Sequence, residues 1–118
     1  MEPQKIVKKP WGEERWFALT AKYVGKILLI NKGKRLSLQY HRKKDETFYL
    51  ASGVLGVDYW RKGHKKKHII MKKGDTLRIP PGTIHRTQAI KKCRIVEIST
   101  PEVNDIIRLD DDFGRIKK

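Results

Sequence analysis

Residues 33–53 read GKRLSLQYHRKKDETFYLASG, and the reading of this stretch decides the fold. Two strand-like runs, Arg35–His41 and Thr47–Ala51, flank the polar segment Arg42–Glu46. Side chains alternate across a strand, so Arg35, Ser37, Gln39 and His41 are expected on one face. Glu46 returns a carboxylate at the start of the second run. An amide oxygen, an imidazole and a carboxylate that converge are the beginning of a metal site. A fourth ligand is offered by His85, in the second Gly- and Pro-punctuated stretch, GDTLRIPPGTIHRTQA at residues 74–89.

The surrounding chain supports a β reading. Tyr23–Asn31 (YVGKILLIN) is a short apolar run closed by Asn31-Lys32-Gly33, which suits a buried strand better than a helix. Further strands are expected at Arg15–Leu19, Val54–Trp60, His68–Lys72, Thr76–Ile79, His85–Ala89 and Arg94–Thr100. Turns are expected at Ser52-Gly53, Lys73–Asp75, Pro80–Thr83 and Lys91-Lys92, and a short helical turn within Glu102–Leu109. Arg61–Lys67 (RKGHKKK) reads as a basic, solvated hairpin tip that keeps an edge from pairing with other chains. About nine short strands joined by Gly and Pro turns predict an all-β barrel of one domain, residues 1–118.

Composition narrows the function. Twenty-eight Lys and Arg against 13 acids give a net charge of +15. That balance suits a nucleic-acid binder, an enzyme of anionic small molecules or a lysine-rich protein from a hot environment. No nucleic-acid-binding motif is present, and the aromatics are spread rather than grouped on one strand face. No apolar run approaches a membrane span, so a cytoplasmic protein without a membrane partner is expected. A single cysteine, Cys93, excludes an internal disulfide and sits in an apolar run as a buried thiol.

The two stretches resemble the paired motifs of the cupin family, whose fold is the double-stranded β-helix or jelly-roll barrel. In the first motif (33–53), Gly33, Gln39-Tyr40-His41, Glu46 and Gly53 keep the family spacing, with Gln39 in place of the first histidine. In the second (74–89), Gly74, Pro80-Pro81-Gly82 and His85 keep it, with Ala89 in place of an asparagine. RLSLQYH, IPPGTIHR, the Lys-Pro-Trp-Gly opening at Lys9–Gly12 and the ending DIIRLDDDFGR are similar to the cupin domain of type II mannose-6-phosphate isomerases. That branch includes domains fused to mannose-1-phosphate guanylyltransferases, whose nucleotide-binding part has no counterpart here. Where the branch carries two more histidines and an arginine, this chain has Arg42, Lys43 and Lys44.

The resemblance implies a metal-dependent interconversion of mannose 6-phosphate and fructose 6-phosphate, or a non-catalytic sugar-phosphate-binding domain. Gln39, His41, Glu46 and His85 form an oxygen and nitrogen set suited to Zn²⁺, and also to Mn²⁺, Fe²⁺, Co²⁺ or Ni²⁺. The other reading is a cupin that kept the spacing and lost the metal. Arg35 is expected to point into the barrel as a phosphate or catalytic cation, or to be held in an internal ion pair. Lys43 and Lys44 line the mouth in one reading and a solvated loop in the other. Arg108 and Arg115 bind phosphate by resemblance, or pair with Asp110–Asp112. Glu97 is a candidate catalytic carboxylate with its facing direction open, the other reading being a solvated or ion-paired glutamate. Trp11, Trp16, Tyr40, Phe48 and Trp60 are assigned to the core or to the interface of a homodimer, the default for this family.

Overall fold

In the computed structural model, which describes residues 4–116, each apolar run becomes a strand, and no helix occurs among the described residues. The strands are β1 (Lys5–Lys9), β2 (Gly12–Leu19), β3 (Val24–Ile30), β4 (Leu38–Tyr40), β5 (Glu46–Arg61), β6 (Lys67–Lys72), β7 (Thr76–Ile79), β8 (Thr83–Ser99) and β9 (Ile107–Asp110).

The spine is the antiparallel ribbon of β5 and β8, paired from Glu46↔Ser99 to Arg61↔Thr83. Beside its first half lie β3 and β7, making one sheet in the order β1-β2-β3-β8-β5-β7. Beside its second half lie β4 and β6, making a second sheet in the order β9-β4-β8-β5-β6. The ribbon is the hinge on which one sheet folds over the other, as in the expected jelly roll. Between the sheets pack Leu28, Ile30, Phe48, Leu50, Leu55, Val57, Met71, Ile79 and Ile95, with Trp11 closing one end.

Four local expectations are corrected. Ser52-Gly53 and Lys91-Lys92 are not hairpin turns, because β5 and β8 run straight through them. The ladder shifts register between Leu50 and Leu55, which turns the ribbon from one sheet into the other. Gly53 is required there: its φ is +96°, and a Cβ would lie 2.2 Å from the Lys92 carbonyl oxygen. The Glu102–Leu109 segment ends in β9 rather than a helical turn. By contrast, the Lys-Pro-Trp-Gly opening is the expected turn, joining β1 to β2 with Trp11 buried. Finally, only Leu38–Tyr40 of the Arg35–His41 run is a strand, with Arg35 making an isolated bridge to Gln88.

Candidate metal centre and cavity

A cavity of about 400 Å³ opens between the two sheets. Four of its lining residues are the expected ligands. Gln39 lies on β4 directly opposite His85 on β8, His41 follows β4, and Glu46 opens β5. All four are buried.

Their orientation is set by the backbone. His41 Nδ1 lies 2.5 Å from the Asp105 carbonyl oxygen and His85 Nδ1 3.0 Å from that of Thr83. A carbonyl only accepts, so each ring carries its proton on Nδ1 and turns the Nε2 lone pair inward. Both Nε2 atoms face Glu46 Oε1, at 3.4 Å and 3.3 Å. Gln39 Oε1 and His85 Nε2 are sealed from solvent without a hydrogen-bond partner. Acceptors that converge without donors need a cation among them. A divalent ion with bonds of about 2.1 Å sets neighbouring ligand atoms about 3.0–3.4 Å apart, so the donor set fits one. Burial pushes the Glu46 carboxyl up, while the Lys44 ammonium at 3.0 Å works the other way and favours its ionised form.

Asp105 holds the intervening loop. Its carboxylate accepts from the backbone N–H groups of Arg42, Lys43 and Lys44 at 3.1, 2.6 and 2.9 Å. This residue was not singled out in the sequence, since nothing local ties it to a loop some sixty residues away.

Above the ligands the cavity wall is charged. Lys44 Nζ lies 3.0 Å from Glu46 Oε2 and 3.3 Å from Glu97 Oε2, all three groups buried. Burial pushes the Lys44 ammonium down, but Glu97 and Glu46 together hold it above its usual range. Glu97 moves the other way for a carboxyl: burial and the neighbouring Glu46 charge raise it, against Lys44 and Lys26. Two residues away in the wall, Trp16 Nε1 donates to Glu14 Oε1 at 3.0 Å, and Lys26 lies over the indole.

The remaining candidates separate. Arg35 does not point into the barrel. Its Nε and Nη2 donate to Asp112 at 2.6 and 2.8 Å on the outside, because the chain leaves the strand between Arg35 and Leu38 and the alternation breaks. Lys43 is exposed and outside the cavity lining, as is Arg42. Lys44 sits inside rather than at a mouth. Arg115 borders the cavity while donating to Asp111 at 2.8 and 2.9 Å. Arg108 also lines it, partly buried, with Nε lacking a partner. Of the aromatics, Trp11 and Phe48 are core, and Trp16 is cavity wall.

Residues 1–111 match the family described as mannose-6-phosphate isomerase C-terminal. The chain belongs to this family. Among curated relatives, it is 27% identical over 114 residues to the alginate biosynthesis protein AlgA of Pseudomonas aeruginosa. It is 25% identical over 114 residues to the xanthan biosynthesis protein XanB of Xanthomonas campestris. Each match covers 92% of this chain and 23% of the relative, so the chain spans less than a quarter of their length. Solved structures agree on the cupin fold. Oxalate decarboxylase of Bacillus subtilis superposes with a TM-score of 0.78 at 17% identity, covering 91% of this chain and 30% of that one. KdgF from Halomonas sp. gives 0.72 at 17% identity, covering 86% and 91%. CapF of Staphylococcus aureus gives 0.74 at 17%, covering 90% and 34%. At these identities the likeness is one of fold. Membership of the mannose-6-phosphate isomerase C-terminal family makes this a cupin domain of the AlgA and XanB type. Among the described residues, no helix is long and apolar enough to cross a membrane.

Proposed function

We propose that this cupin domain is a divalent-metal-dependent mannose-6-phosphate isomerase, with Zn²⁺ as the first candidate ion. The observation that carries the reading is the cavity-facing Glu97 carboxyl, raised by burial, next to a cluster of inward-turned ligand atoms. Gln39, His41, Glu46 and His85 would hold the ion, which would supply Lewis-acid polarisation of the sugar's carbonyl and hydroxyl oxygens.

Glu97 takes the proton from C2. The C–H electron pair forms the C1–C2 double bond as the carbonyl pair moves onto O1. Glu97 then returns its proton to C1, while the O2 proton passes to O1 and C2 becomes the ketone. A raised carboxyl suits this work, since a general base functions best with its pKa near the operating pH. Lys44, kept protonated between two carboxylates, stabilises negative charge developing on the enediolate. Arg108 is the phosphate anchor: its guanidinium lines the cavity, partly buried, with an Nε that has no hydrogen-bond partner. Arg115 adds its charge behind it, and Arg35 and Lys43 take no part.

A second reading, sugar-phosphate binding without turnover, is favoured by the ion pair that already occupies Glu97. A coupled assay of fructose 6-phosphate formation from mannose 6-phosphate, before and after chelation, separates the two. Turnover that chelation abolishes and a divalent ion restores supports the isomerase. Folded, metal-loaded protein that binds mannose 6-phosphate without converting it supports the second reading.

A further inference from the structure

Among the cavity cations left without a role, Lys26 is the buried one. Lys5, Trp16, Lys26, Glu97 and Phe48 are successive cross-strand partners over β1, β2, β3, β8 and β5, and all five line the cavity. Lys26 sits in the middle of this row, its side chain 7% exposed. The nearest carboxylate oxygen, Glu14 Oε1, is 3.7 Å from Nζ, beyond hydrogen-bond distance. The indole of Trp16, with its centroid 4.1 Å away, compensates part of the charge and accepts no ordinary hydrogen bond. Lys26 lines the cavity, so its side chain borders the open space there.

An ammonium taken out of water with its donors unspent is costly to keep. Lys44 shows the alternative in the same cavity, bound between two carboxylates. The different fate of Lys26 follows from its place beside Glu97: directly opposite residues have Cβ atoms about 4.5–5.5 Å apart. A ligand oxygen next to the carbon that meets Glu97 therefore lies within reach of Lys26 Nζ.

We propose that Lys26 is a substrate-binding residue, donating from its ammonium to the sugar oxygens at the reacting end of an open-chain hexose phosphate, beside Glu97. Arg108 then takes the phosphate and Lys26 the opposite end. The choice of end rests on the isomerase reading; the binding role does not.

The test uses the full metal-loaded chain, with mannose 6-phosphate and fructose 6-phosphate as probes. Affinity is measured by calorimetry, and tryptophan emission is followed in parallel because Trp16 lies against Lys26. A W16F variant assigns that signal. K26M is expected to weaken binding at least tenfold and to lose the ligand-induced emission change, with Tm and metal content unchanged. K26R is expected to recover part of the affinity. If K26M proves unfolded, K26Q stands in with the same expectations. Affinity in the folded variant within twofold of wild type overturns the proposal, as does a wild-type chain that binds neither probe. Wild-type binding that depends on Lys26 without turnover keeps this proposal and removes the isomerase. Turnover unaffected in K26M does the reverse.

Discussion

Within the cavity, Glu97 and Arg35 have exchanged the importance that their positions in the sequence suggest. Glu97 is buried among Lys44, Lys26 and the ligands, whereas Arg35 pairs with Asp112 outside. Glu97→Gln keeps the shape and removes the base. Under the isomerase reading, kcat is expected to fall by about 10²–10⁴, the usual worth of a positioned general base, with metal content unchanged. A variant of near wild-type kcat would assign the proton to another group. Arg35→Ala is expected to leave KM and kcat alone. Its stability cost, read from urea unfolding, is expected at no more than about 1 kcal/mol, as for an exposed ion pair. A large rise in KM would bring Arg35 back as a phosphate ligand.

The element that sets the geometry is the bent β5–β8 ribbon, since it carries Glu46, His85 and Glu97 and turns at Gly53. Gly33 and Gly53 both have positive φ, at +79° and +96°, and both open or close the first motif. Their surroundings differ: a Cβ on Gly33 meets nothing within 4 Å, and one on Gly53 meets the Lys92 carbonyl oxygen at 2.2 Å. Gly33→Ala is expected to cost about 1–2 kcal/mol from backbone strain alone. Gly53→Ala adds a clash with main chain, so the expected loss is larger by several kcal/mol, with poor folding as the visible outcome. Equal Tm values for the two variants would show that the corner can relax. Lys26, too, is a product of strand geometry: on β3 it shares the inward parity of Val24, Leu28 and Ile30.

Across the whole molecule, a net charge of +15 leaves few carboxylates, and most of those with shifted pKa values are stabilised as anions. Hydrogen bonds from Arg115 bring Asp111 down to about 2, and Lys8 and Arg15 bring Glu13 down to about 2. Asp45, Asp58, Asp105 and Asp112 are lowered as well. A group whose folded pKa is depressed contributes stability above its unfolded value and loses it as pH falls through the folded one. The metal-free protein is therefore expected to lose stability as pH falls from about 4 toward 2. Glu97, raised by burial, opposes this: it favours the folded state below its ordinary pKa and weakens it as pH rises through the raised one. Calorimetry from neutral pH to acid checks the sum; a Tm that does not fall on acidification would contradict the carboxylate pairs.

The jelly roll followed from the resemblance of the two motifs to cupins, but residue types and spacing were enough to read an all-β barrel, because Gly and Pro turns and alternating strands are local properties. They also brought Gln39, His41, Glu46 and His85 together as one candidate set, because both motifs place their polar side chains by strand parity. The facing direction of Glu97 was open in the sequence; on β8 it alternates in step with Cys93 and Ile95, both buried, which turns it inward. Other placements depended on contacts far apart in the chain. The ribbon's continuity through Ser52-Gly53 needed the partner strand, since a glycine in a polar dipeptide reads equally as a turn or as a bulge. Arg35 turned outward because Asp112, 77 residues away, was there to pair with it. Lys44 turned inward where Glu46, its near neighbour in sequence, and Glu97, 53 residues away, share its charge. Where a long cationic side chain ends is decided by the nearest carboxylate in space, and that distance exists only once the sheets have closed.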